Sequence, residues 1–383
     1  MSLPLLALSL LLLLSPPGAL AGDGYPPSSS KPILTPISKD ASRYTIPIKN
    51  GAPLVLDLAG PLVWTRCPPP LGTDPCKSGV CAVSAETLSA NATDGKNPLY
   101  PVSFPANVAC APESMLAPLP SGAAGVAGLA RTPMSLPSQV ASRLKVSKQF
   151  ALCLPGGGQT GAAIFGGGPF QLLASPPVEL AEGLRQNPIL LVDNPRNGGY
   201  YIRLHGISVN LEPLALPAGA FDLDARHGTG GVVFSTVTPY TTLRPDIYRA
   251  LRDAFERVTS GIPRAPPVAP FEMCYHSSAF GYTRLGPGVA NIDLVLDGGR
   301  IWQLPGGSSL VGVNDQTLCF AFLEMGSETA AAVPGSPAVI IGGYQLEDHL
   351  LLFDLEKGTL GLSGLLLGIR TTCGNFNFTT GSS

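Results

Sequence analysis

The chain has 383 residues, of which 45 are glycine and 40 proline; only 13% are charged and 45% are hydrophobic. So little charge excludes a charge-rich disordered chain. So much glycine and proline without a G-X-Y period excludes collagen and argues against a helical bundle, in favour of many short strands joined by tight turns. A formal net charge of −2 leaves no basic footprint for nucleic acid.

The chain opens on an uncharged apolar run at 3–14, closed by Ser15-Pro16-Pro17-Gly18. It falls short of the roughly 20 apolar residues that span a bilayer. With the small residues Ala19-Leu20-Ala21 behind it, the run predicts a signal peptide over 1–21 and a secreted, extracellular chain with no membrane segment. Strands are expected at 44–48 and 54–58 around Asn50-Gly51, a hairpin signal, and at 62–64 after Gly60-Pro61. Further strands are predicted at 162–165, 200–204, 231–234, 292–296, 339–341 and 350–355. Helices are few. The best spans 245–259, with Ile247, Ala250, Leu251, Ala254 and Val258 on one stripe, Pro245 in the first turn and Gly261 at the stop. A shorter one is expected at 137–144.

Two similar β-rich halves are the simplest organisation. Ile164-Phe165-Gly166-Gly167-Gly168 echoes Ile340-Ile341-Gly342-Gly343-Tyr344, and the polar stretch 194–199 has the composition of a boundary. This predicts an N-terminal lobe over 22–185, a linker over 186–199 and a C-terminal lobe over 200–383.

The cysteines suit an oxidising compartment. Cys67, Cys76, Cys81, Cys110, Cys153, Cys274, Cys319 and Cys373 make an even number in a secreted chain, which implies disulfides; the sequence itself leaves their pairing open. No C-x-x-C pair exists and His205, His227, His276 and His349 are scattered, so no metal site is expected. Asn91-Ala92-Thr93 and Asn377-Phe378-Thr379 are sequons, which predicts glycosylation at Asn91 and Asn377. Residues 156–161 match G-x-G-x-x-G, but they lead into the strand at 162–165 and not into a helix. They therefore read as a hairpin turn, and no cofactor is expected. G-x-S-x-G, H-E-x-x-H and Walker patterns are absent.

Longer motifs carry a resemblance. Leu56-Asp57-Leu58-Ala59-Gly60-Pro61-Leu62-Val63-Trp64 resembles the first active-site strand of pepsin-like aspartic proteases, and 340–348 with Phe353-Asp354-Leu355 resembles that family's last long motif. Residues 235–241 and 373–379 are similar to one plant branch of it: the cereal xylanase inhibitors, the xyloglucan-endoglucanase inhibitors and the basic seed globulins. The resemblance runs from about Lys31 to Phe378. It implies a mostly β, two-lobed pepsin-like aspartic protease fold and a bonded Cys274–Cys319 pair.

Catalysis in that family needs two carboxylates that share one proton. Here Asp57 is kept, but Leu58-Ala59 replaces the family's Thr-Gly, and Ser235 stands where the second aspartate belongs. A serine can neither share the proton nor hold the charge. Asp57 and Ser235 thus read as vestigial, and the chain as no enzyme. The family's flap tyrosine is missing from 65–80 as well, so the flap reads as truncated or lost.

The branch implies a function instead. Glycoside hydrolases hold two carboxylates in an open cleft, and an arginine can bond a carboxylate through its planar fork. In xyloglucan-endoglucanase inhibitors two loop arginines do this; 282–287 resembles the first loop and 365–373 the second, which names Arg284 and Arg370 as target-binding residues. Cereal xylanase inhibitors use a histidine on the second loop, and none follows His349. The implied partner is a secreted glycoside hydrolase, a xyloglucan-type endoglucanase in preference to a xylanase, met by a monomer in the apoplast or cell wall in plant defence. The alternatives are a cell-wall storage or peptide-binding globulin and, against Ser235, an active aspartic endopeptidase.

Overall fold

Asn50 and Gly51 both take left-handed backbone, φ 49° and 85°, as a tight two-residue hairpin requires. They join β2 (Arg43–Lys49) to β3 (Ala52–Asp57), with Thr45 opposite Val55. β1 (Ile33–Asp40) pairs with β2 on the other side. The computed structural model describes residues 30–41, 43–67, 82–326 and 336–380. The expected signal peptide, Cys76, Cys81 and most of the stretch read for a flap lie outside the described residues.

The first half continues with β4 (Val63–Arg66), the long hairpin β5 (Val83–Thr93) and β6 (Pro98–Ala111), then β7 (Gly125–Gly128), β8 (Gln149–Cys153) and β9 (Gly161–Phe165). A sheet of 12 strands runs, in order, Ile189–Leu190, Thr359–Leu362, Leu350–Asp354, β8, β9, β1, β2, β3, β7, β4, β6, β5. Leu350–Asp354, from the second half, pairs with β8, Phe353 opposite Phe150, and Thr359–Leu362 pairs with Leu350–Asp354. The two halves therefore share a sheet. Phe150, Phe353 and Tyr200 close over the junction, with ring centroids 4.6 and 4.5 Å apart along that order.

A duplication is built into the pairing. In the first half β3 runs parallel to β7, β7 antiparallel to β4, and β4 parallel to β6. In the second half Val232–Phe234 runs parallel to Val339–Ile341, which is antiparallel to Thr241–Leu243, itself parallel to Phe322–Glu324. This corrects the echo read from sequence. The counterpart of 339–341 is β7 and the Leu129-Ala130 that follows it, whereas Ile164 and Phe165 belong to β9, paired antiparallel to β1 and β8. Gly128 is needed there: a Cβ would lie 2.4 Å from the carbonyl oxygens of both Gly60 and Leu62.

The two helices expected from sequence stand at Leu136–Leu144 and Pro245–Val258, with Pro245 in the first turn. The longer one buries Ile247, Leu251 and Ala254 and ends at Thr259, two residues before Gly261. Among the described residues, disulfides join Cys67 to Cys110, Cys153 to Cys373 and Cys274 to Cys319. The last is the pair the resemblance implies.

Candidate functional site

The two halves meet at the ends of matching strands. β3 ends on Asp57, whose carbonyl accepts the Leu129 N–H at 2.8 Å; Val232–Phe234 leads into Ser235, whose N–H donates to the Ile341 carbonyl at 2.9 Å. One side chain bridges them. The Thr236 hydroxyl donates to the Leu56 carbonyl at 2.7 Å and accepts the Leu58 N–H at 3.2 Å, 180 and 178 residues away. Leu58 is fully buried and offers no hydroxyl in return, so this side-chain bond runs one way.

Asp57 is half-buried and its Oδ1 accepts the Ala59 N–H at 2.9 Å. Burial pushes its carboxyl above the ordinary aspartate range, against the backbone N–H groups of Ala59 and Gly60 and the Arg43 guanidinium. The structure puts no second carboxylate at the matching strand end. Ser235 is buried, its Oγ donating to Thr238 Oγ1 at 2.9 Å and accepting the Thr238 N–H at 3.0 Å. The tip of the β5–β6 hairpin does not serve as a cover here. Thr93 N–H donates to the Pro32 carbonyl and Gln171 N–H to the Gly95 carbonyl, both at 2.9 Å, which ties that tip to the sheet's far end.

The two loops that carry the arginines read from sequence touch. Tyr282–Thr283 and Gly286–Pro287 form a hairpin with Arg284 and Leu285 at its turn. Thr283 Oγ1 accepts the Leu285 N–H at 3.0 Å, and Gly286 takes φ 97° where a Cβ would strike Gly307 N at 2.4 Å. On the second loop, a single turn at Leu366–Ile369 ends on Arg370 in left-handed backbone, φ 60° and ψ 37°. Arg284 Nη1 donates to the Gly368 carbonyl at 3.4 Å, two residues before Arg370. Both arginines are exposed, and neither makes an ion pair among the described residues.

Asp348 anchors that second loop, a role the sequence did not reveal although 348 ends a recognised motif. Its Oδ1 accepts the Cys373 N–H and its carbonyl accepts the Leu366 N–H, both at 2.9 Å, so it brackets the segment that carries Arg370. The Cys153–Cys373 disulfide ties the same segment to β8. Beside it, Glu347 Oε1 takes Lys39 Nζ and the Tyr44 hydroxyl, each at 2.6 Å. Burial raises both carboxyls above their ordinary range, while Lys39 pulls each back. His349 is wholly buried, which lowers its imidazole to about 4.

The sequon positions differ. Asn91 is exposed on β5 opposite Pro101. Asn377 is half-exposed and its Oδ1 accepts both the N–H and the hydroxyl of its own Thr379, at 3.0 and 2.6 Å. Among the described residues no cluster of three or more potential metal ligands occurs, and no helix is long and apolar enough to cross a membrane.

Known proteins resemble this chain in sequence and fold. The family described as "Xylanase inhibitor N-terminal" matches residues 70–167, and "Xylanase inhibitor C-terminal" matches 199–364. Chitinase CLP of Oryza sativa subsp. japonica is 46% identical, over 91% of this chain and 92% of its own length. Gamma conglutin 1 of Prunus dulcis is 37% identical, over 79% of this chain and 67% of its own. The crystal structure of edgp superposes with a TM-score of 0.83 at 31% identity, covering 93% of this chain and 100% of that one. With this ancestry, two fused halves and pepsin-like strand crossings, the chain belongs to the xylanase-inhibitor branch of the plant pepsin-like proteins.

Proposed function

We propose that the protein is a secreted, catalytically silent pepsin homologue that inhibits glycoside hydrolases, a xyloglucan-type endoglucanase before a xylanase. The observation that carries this reading is the contact of the two loops: Arg284 reaches the Gly368 carbonyl, and both guanidinium groups stand exposed on neighbouring loops. Two guanidinium forks free of ion pairs among the described residues suit the paired carboxylates of a glycosidase cleft. Exposed Tyr282 and Ile369 flank them and supply apolar contact. The three disulfides among the described residues favour an oxidising, extracellular setting, with Asn91 and Asn377 as glycan sites.

Silence as a peptidase follows from Ser235, whose hydroxyl is occupied by Thr238 and cannot take a carboxylate's part beside Asp57. The test is direct. Purified protein is titrated into a xyloglucan-specific endoglucanase and a xylanase, and is assayed alone on unfolded protein at acid pH and on chitin, the polymer suggested by the name of the rice relative. Stoichiometric loss of endoglucanase activity with no hydrolysis by the protein itself is expected. Pepstatin-sensitive proteolysis or chitin turnover by a homogeneous sample overturns the reading.

A further inference from the structure

The second half holds a four-stranded sheet that ends on the strand Ile301–Leu304, paired only with Ile292–Leu296. The Leu296 N–H donates to the Arg300 carbonyl, and this fixes the phase of the ladder. Trp302 and Leu304 turn their backbone groups toward the neighbouring strand; Ile301 and Gln303 turn theirs outward. Those outward groups meet no protein partner among the described residues. The side chains alternate too, Trp302 and Leu304 buried and Ile301 and Gln303 exposed, Ile301 by 54%. Edge strands are ordinarily blunted by lysine, proline or a bulge. Ile301-Trp302-Gln303-Leu304 carries none of these.

This edge lines a cavity of about 400 Å³, together with Leu184, Ile189, Leu285, Ser363, Leu365 and Gly368. Two of those residues belong to the arginine loops: Leu285 follows Arg284, and Gly368 accepts its guanidinium. The cavity is thus walled in part by the two loops proposed to meet the target. Arg300 fixes the strand's start by donating to the carbonyls of Asn187 and Pro188, both at 2.7 Å. A row of free N–H and C=O groups is the chemistry that recognises extended backbone.

We propose that the outer edge of 301–304 accepts an extended rim segment of the target glycoside hydrolase as an added strand, next to the cleft contact made by the arginines. This rests on the inhibitory reading above. Two substitutions probe it. Ile301→Lys places a gatekeeping charge on the exposed edge. Gln303→Pro deletes an outward N–H of an edge strand, a sheet position that tolerates proline, though it also loses the Gln303 bond to Asp293 at 3.1 Å.

Inhibition of a xyloglucan-specific endoglucanase is measured for both, beside Arg284→Ala, together with amide exchange at 301 and 303 with and without the enzyme. Exchange at both amides should slow at least tenfold in the complex, and each edge variant should weaken inhibition about tenfold with an unchanged melting temperature for Ile301→Lys. If the parent inhibits and Arg284→Ala does not, while the edge variants match the parent and exchange is unaltered, the added strand is wrong and the inhibitory reading stands. If the parent inhibits neither endoglucanase nor xylanase, the inhibitory reading fails and the added strand falls with it. Protection that depends on protein concentration without the enzyme assigns the edge to a second copy of this chain and overturns the proposal.

Discussion

Thr236 does the joining that a pair of hydroxyls could share. Its Oγ1 serves two backbone groups of the opposite half, the Leu56 carbonyl and the Leu58 N–H, and it is fully buried. Thr236→Val keeps the shape and leaves both groups unpaired in a dry site, each of which costs on the order of 1–3 kcal/mol. A loss of about 2 kcal/mol or more in urea unfolding is expected; a change within about 0.5 kcal/mol would show that the halves are held elsewhere. Asp57 and Ser235 were legible as residues because a long local motif surrounds each. Thr236 was visible only as part of its motif, because its partners are main-chain atoms 180 and 178 residues away that leave no mark on the sequence. Asp348 was hidden for the same reason: it works through the N–H of Cys373 and of Leu366.

At the level of elements, the strands expected at 292–296 and 339–341 coincide with Ile292–Leu296 and Val339–Ile341, and the helix from Pro245 starts where its proline predicts. Alternation, turn residues and caps are local and can be read along the chain. Parallel pairing is not local, which is why the echo fell on β9 when the true counterpart of 339–341 is β7. The contact between the hairpin at Arg284 and the turn before Arg370 was equally out of reach, since it runs from a guanidinium to a backbone carbonyl 84 residues on. Arg370 holds left-handed backbone, φ 60°, which costs a side-chain-bearing residue about 1 kcal/mol and suits glycine. Arg370→Gly should therefore keep or raise the melting temperature while inhibition is lost. A fall in both would mean that the arginine is there for the fold.

Taken whole, the molecule carries buried titratable groups of opposite effect around the anchor of the second loop. His349 stands near 4 in the folded chain against about 6.5 when unfolded. Between those values the unfolded chain binds more protons, so stability falls as pH drops from about 6.5 toward 4, by up to about 3 kcal/mol. Asp57, Glu347 and Asp348 lie above their ordinary range, so the folded chain takes their protons first and regains part of that loss in acid. The urea midpoint should fall less, or rise more, from pH 7 to pH 5 in His349→Gln than in the parent. Equal changes would remove His349 from the account. Such a frame suits the proposed mode of action, in which two fixed surface loops meet the target. The most direct measurement of that claim is the affinity for a xyloglucan-specific endoglucanase of the parent, Arg284→Ala, Arg370→Ala and Asp57→Ala. Each arginine variant should lose about 2 kcal/mol or more, roughly thirtyfold, and Asp57→Ala nothing; two arginine variants that bind as the parent does would contradict the account.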